Sequence, residues 1–366
     1  MKTIKNFIKI SILLLVAFSF IGIATTSADS GYDVPTIDVQ AAGPPFQFGE
    51  ITTGKNSLYN TVQNRQDLSG AATDGNHIIF ADDGGKPSDF NFIRVMSDLP
   101  DAGGVNLPLT EFHQDMEGAT FSNGFFVATT SLSVATDDDT RRLTRFKVDE
   151  GATQLVEESS VDLRDELLAA MQAEFGDEWF NRIKDEPGKS GGLNIEAISR
   201  SHTGQDVLLW GIRSPMFGDD FGNPATNPAL SLAEGEAIIA AVHNPFSDNP
   251  TFSFETVALE SEFGDHGIRG MEWIPAVHGY VIIGGPIPKG DGYSLWRLRQ
   301  NGQLDQLELP GFDHLCRPES VIQTTEDGKD YLVVISEDSG AACDGVDFTY
   351  IKAEIVPGNG NGNGKK

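Results

Sequence analysis

Across 366 residues, 54 acidic side chains stand against 26 basic ones, giving a formal charge of −28. A surface this acidic repels phosphate backbones and anionic lipid headgroups, which excludes nucleic acid as a partner, while it tolerates cations and high salt. The length allows one large domain or two small ones.

The first 28 residues read as a secretory signal peptide: Lys2, Lys5 and Lys9 precede an apolar run from Ile10 to Ile23 and the small residues Thr26, Ser27 and Ala28. That run, about 14 residues, is too short to span ~30 Å of hydrocarbon as a helix, and no other long apolar run follows. A secreted or periplasmic monomer without a membrane span is expected, cleaved near Ala28. Cleavage removes three lysines and no acids, so −28 becomes −31. Residues 29–45 read as a linker, 46–357 as the folded domain and 358–366 as a disordered Gly/Asn tail.

One hairpin recurs five times, at 69–84, 117–131, 193–215, 269–286 and 319–338, with irregular spacings of about 48 to 79 residues. Two further strand-like runs follow each of the first four copies: 90–96 and 105–112, 143–148 and 153–158, 236–243 and 252–259, 293–298 and 304–309. Four strands per repeat predict an all-β fold, a five-bladed β-propeller. After the fifth copy only 349–355 follows, so 46–53 is expected to supply the missing outer strand and close the ring, removing exposed sheet edges. A short helical insertion is predicted between blades two and three, where Leu163, Leu167, Leu168, Met171 and Phe175 share a face behind Asp162 as cap. A second turn with Trp179, Phe180 and Ile183 is expected after it. Within blade three, 214–234 is rich in Pro, Gly and Asn and reads as a long loop. Cys316 and Cys343 bracket the fifth hairpin, and in an exported chain such a pair is expected to form a disulfide.

Propeller geometry places the residue that opens each hairpin and the residue that ends it on one face, near the axis. The openers are Ser69, Glu117, Glu196, Arg269 and Glu319. The ends include Asp82 with Asp83, Arg213, and Glu337. With the neighbours Asn194, Glu272 and Arg317, this mouth is the candidate ligand site: Glu117, Asn194, Glu196, Arg213, Arg269, Glu272, Arg317 and Glu319. Asp82, Glu117, Glu196, Glu319 and Glu337 are the candidate metal ligands. The sequence marks no definite cofactor, and calcium is the candidate ion. The plainer reading is structural, each buried carboxylate pairing with an arginine or with backbone of the next blade. Arg269 argues for more than that, because purely structural openers would be expected to stay alike. No HExxH or CxxC occurs, and PGKSGG at 187–192 lacks the earlier Gly of a phosphate loop. The seven histidines show no ligand spacing.

The motifs GGLNIEAIS at Gly191, GIRSP at Gly211, HGIRGMEW at His266, RPESV at Arg317 and DMEGATF at Asp115 together resemble the bacterial propeller family catalogued as domain-of-unknown-function family 3616. The likeness runs from about Asp67 to Ile355, with Ala197 where that pattern has Gly, and it implies the fold without a reaction. A looser likeness, confined to the motif at Glu117, is to esterase-like phytase propellers. It implies carboxylates such as Glu117, Glu196 and Glu319 holding calcium and arginines such as Arg213 and Arg269 holding phosphate. Binding of a small anionic or carbohydrate ligand at the mouth is the leading expectation. A calcium-dependent hydrolase of phosphate or other esters at that mouth is the alternative, and a protein-interaction scaffold acting through the loops is the third.

Overall fold

The computed structural model describes residues 46–56, 68–83, 92–99, 104–134, 137–177, 180–181, 192–204, 206–217, 236–262, 264–286, 292–337, 343 and 348–358. The expected signal peptide, the linker at 29–45, Trp179, Ile183, most of PGKSGG, 218–235 of the predicted loop and 359–366 of the tail lie outside these residues.

The first strand, β1 (Phe46–Asn56), is set apart in the chain from its own sheet. Blade one comprises β2 (Leu68–Thr73), β3 (Ile78–Asp82), β4 (Phe92–Met96) and β5 (Val105–Pro108). Blade two comprises β6 (Met116–Ser122), β7 (Phe125–Thr130), β8 (Arg142–Val148) and β9 (Leu155–Asp162). Blade three comprises β10 (Asn194–Arg200), β11 (Val207–Phe217), β12 (Glu236–His243) and β13 (Thr251–Ala258). A two-stranded hairpin, β14 (Glu260–Ser261) with β15 (Gly264–Asp265), leads into blade four: β16 (Gly267–Ile274), β17 (Gly279–Gly285), β18 (Ser294–Arg299) and β19 (Leu304–Gln306). The fifth sheet holds β20 (Pro318–Glu326), β21 (Lys329–Glu337) and β22 (Phe348–Pro357), with β1 antiparallel to β22 at its outer edge, in the order β1-β22-β21-β20. The protein is a five-bladed β-propeller of four-stranded antiparallel blades. Strand β11 runs on to Phe217, past the point where the sequence suggested a loop.

The ring is held by five apolar cores, one between each pair of neighbouring sheets. Within β3, Ile79 and Ala81 pack toward blade two, while Ile78 and Phe80 pack toward blade five. In β21, Leu332 and Val334 face blade four and Val333 and Ile335 face blade one. Side chains alternate across a strand, so a strand buried on both faces reads as one unbroken apolar run. Two hairpins turn through Asn123-Gly124 (φ 52° and 79°) and Asp327-Gly328 (φ 50° and 75°), paired left-handed residues whose twist matches that of the strands they join.

The helix α1 (Arg164–Phe175) follows β9 and precedes β10 in the chain. Asp162 Oδ1 accepts the backbone N–H of Arg164 at 3.0 Å, and Leu167, Leu168 and Met171 are buried against Trp210, Ile212 and Ile238. Phe180 packs on the same core. Cys316 and Cys343 are disulfide-bonded, with Cα atoms 5.7 Å apart. Among the described residues no helix is long and apolar enough to cross a membrane.

Candidate functional site

All five inner hairpins break register near their opening ends, between Leu68 and Ala71, Met116 and Gly118, Ile195 and Ala197, Ile268 and Gly270, and Pro318 and Ser320. The residues at these bulges include Ser69, Glu117, Glu196, Arg269 and Glu319, the five openers. A bulge breaks the ladder and re-aims a side chain, and here all five are buried near one another at the start of the inner strands. The following residue is small because the next blade presses on it: a Cβ on Gly118 would lie 3.0 Å from the backbone N of Ile198.

The buried charges form one connected network. Arg269 joins two blades, with Nη2 on Glu319 and Nε 3.3 Å from Glu196 Oε2. Glu196 also accepts Arg213 Nη1 and, at 2.9 Å, Asn194 Nδ2. Burial alone would lower the Arg269 pKa, but Glu196, with Tyr293, Glu117 and Glu337, raises it. Beside the network Arg317 Nη1 pairs with Glu337 Oε1 at 3.1 Å. Ser69 Oγ lies 2.8 Å from Glu319 Oε2 and 3.0 Å from Glu117 Oε2. The one hydroxyl proton is shared between the two carboxyl groups. Burial, with the charges of Glu196 and Asp115, holds the Glu117 carboxyl well above the ordinary carboxylate range despite Arg269 and Ser69.

Carboxyl oxygens of Asp83, Asp115 and Glu117 lie within 4.8 Å of one another, an arrangement that could hold a metal ion. Asp115, at a φ of 62° that an Asp tolerates, accepts hydrogen bonds from Ser131 Oγ and, at 3.2 Å, Ser133 Oγ. Asp83 is pushed well above the usual carboxylate range by burial and then by the charges of Glu117 and Asp115. The arginines Arg213, Arg269 and Arg317 pair with Glu196, Glu319 and Glu337. Asp83, Asp115 and Glu117, which cluster, are not among the carboxylates these arginines hold.

Six of the eight expected ligand-site residues, Glu117, Asn194, Glu196, Arg213, Arg269 and Glu319, thus fall in the network, and Arg317 stands beside it. Glu272 does not. It lies three residues past Arg269 in β16, about 10 Å along a strand, where it accepts Thr120 Oγ1 at 2.8 Å and lines a cavity at the other end of the axis. Of the expected metal ligands only Glu117 joins the carboxylate cluster. Glu196, Glu319 and Glu337 are held by arginines. Asp82 ends β3 opposite Leu68, and its successor Asp83 takes the place expected for it, because neighbouring side chains in extended chain point to opposite sides. Asp115 was visible only as the first residue of DMEGATF, two before Glu117.

No protein-family model matches the chain, and no curated protein matches it. Among solved structures, the allergen Mala s 1 of Malassezia sympodialis is 11% identical, the match covering 85% of this chain and 97% of the allergen with a TM-score of 0.46. The GH43 protein BlXynB of Bacillus licheniformis, a β-propeller, is 11% identical over 84% of this chain and 60% of its own, at 0.43. A putative oxidoreductase (glucose dehydrogenase) of Thermus thermophilus is 12% identical over 85% and 100%, at 0.39.

Proposed function

We propose that this chain is an exported propeller that binds a divalent cation, calcium, at the carboxylate mouth and through it a small anionic or carbohydrate ligand. One observation carries the reading: the arginines pair off three carboxylates and leave Asp83, Asp115 and Glu117 together, with Asp83 and Glu117 too costly to ionise side by side without a cation. Carboxylates and hydroxyls are hard oxygen donors, which suit calcium, and three protein ligands leave coordination positions for ligand oxygens. Arg213 and Arg269, which phosphate-ester chemistry would use to hold phosphate, are buried against Glu196 and Glu319, and that favours binding over hydrolysis. Export is supported by the reading of residues 1–28 and by the disulfide, a bond that persists in oxidising compartments. The ordered motifs that resemble family 3616 support membership of that family.

Calorimetric titration with calcium is the test. The parent is expected to bind calcium with release of protons, while Asp115→Asn and Asp83→Asn bind at least tenfold more weakly. Parent and variants with equal affinity, or no binding at all, would remove the proposal. Turnover of chromogenic phosphate or ester substrates that is abolished by chelator would replace binding with hydrolysis at the same site.

A further inference from the structure

The opposite end of the axis holds a cavity of about 580 Å³, built where all five inner strands finish. Ala72 and Thr73 come from β2, Phe121 from β6, Arg200 from β10, Glu272 and Trp273 from β16, and Ile322 to Thr324 from β20. The volume is within the range of small-molecule sites. It is separate from the carboxylate mouth, since each strand reaches it several residues after its bulge.

Two buried polar atoms of the lining, Arg200 Nε and Thr324 Oγ1, have no hydrogen-bond partner. Buried polar groups are ordinarily satisfied, so such atoms call for a ligand or water. Beside Arg200 lies Glu272, whose Oε2 is held by Thr120 and whose Oε1 stands 3.8 Å from Arg200 Nε, too far for a hydrogen bond. Trp273 forms the adjoining wall and is itself braced by His202 and Tyr280, with ring centroids 5.1 Å away in each case. Phe121 adds a second aromatic wall.

We propose that this cavity is a second binding site, for a neutral hydroxylated ligand of mono- to disaccharide size, with Arg200, Glu272 and Thr324 meeting hydroxyls and Trp273 and Phe121 receiving an apolar face. The charges select the class. An anion entering would pass Asp74, Asp98 and Glu326 at the rim. A cation would find those rim acids already engaged: Asp74 by the N–H groups of Asn76 and His77, Asp98 by that of Leu99, and Glu326 by Lys352. In the lining it would meet the Arg200 guanidinium. Burial raises the Glu272 carboxyl to about 8, so near neutrality it can donate as well as accept, which suits hydroxyl groups.

The test is a panel of neutral mono- and disaccharides (glucose, xylose, galactose, maltose, cellobiose, xylobiose), with inorganic phosphate and tetramethylammonium beside them. Each is titrated calorimetrically into the full chain in the presence of chelator, which keeps this site apart from the cation-dependent one. At least one saccharide is expected to bind. Its affinity should fall tenfold or more in Arg200→Gln and in Thr324→Val, both small changes in lining side chains, while Asp115→Asn leaves it unchanged. The proposal is overturned if no saccharide binds, if phosphate or tetramethylammonium binds in its place, or if binding survives both lining substitutions.

Discussion

Arg269 stands where three other hairpins carry glutamate, and its contacts account for the exchange: one guanidinium reaches Glu196 of blade three and Glu319 of blade five at once. A buried ion pair contributes little net stability, but removing one partner strands the other's charge. Arg269→Ala is therefore expected to destabilise the protein by about 3–5 kcal/mol, measured by urea denaturation. Arg269→Lys should recover only part of this, since an ammonium lacks the planar fork that serves two carboxylates. Stability within about 1 kcal/mol of the parent in Arg269→Ala would show that Glu196 and Glu319 do not depend on it. Glu272 gives a prediction of a different kind. Its carboxyl titrates near 8 in the fold against 4.5 ordinarily, mainly through burial, with Thr120, Arg200 and Ser199 opposing. The native state thus holds this proton more tightly than the unfolded chain does. The stability this confers is complete below pH 4.5 and is lost as the pH rises through about 8, at roughly 1.4 kcal/mol per pH unit within that window. Glu272→Gln should be flatter with pH by that slope, and an identical pH profile for parent and variant would refute the shift. The sequence showed that carboxylates and arginines gather at the inner strands. It could not place Glu272 or separate Asp83 from Asp82, because a single residue of register decides which side of a strand a side chain takes.

At the scale of the elements, the hairpins were legible for a physical reason. Inner strands of a propeller are buried on both faces, so IIFAD at 78–82 and YLVVIS at 331–336 stand out as apolar runs even without alternation. The bulges were not legible. At Gly70, Gly118 and Gly270 the next blade presses against the residue after the opener, as Ile198 does on Gly118, and a sequence read locally does not contain that contact. The bulges nevertheless make the mouth, since they gather five openers from five blades into one buried group. Asp115 was missed for the same kind of reason. Its role comes from a left-handed backbone and from Ser131 and Ser133, which follow in the chain only after the whole of β6 and β7.

The molecule as a whole is a ring whose stability is shared among five interfaces of similar construction. Four join blades that are consecutive in the chain. The fifth, between Leu68, Ile78 and Phe80 of blade one and Val333, Ile335 and Phe348 of blade five, joins its two ends and closes the longest loop. Strand β1 lies on the outer edge of that last blade, pairing with β22 along its length from Phe46–Pro357 to Asn56–Phe348, and its Phe46, Phe48 and Ile51 pack on the core between blades four and five. Without it β22 becomes an exposed edge, and the blade loses apolar cover on the side facing blade four. If the ring unfolds as one unit, loss of this single peripheral strand lowers the melting temperature of the whole domain and not of one blade alone. A chain lacking 46–56 is therefore expected to melt in one transition several degrees below the parent, followed by circular dichroism in the far ultraviolet, and to aggregate more readily. A deletion variant that melts where the parent does would show that β22 needs no partner and that the ring is complete without its N-terminal strand.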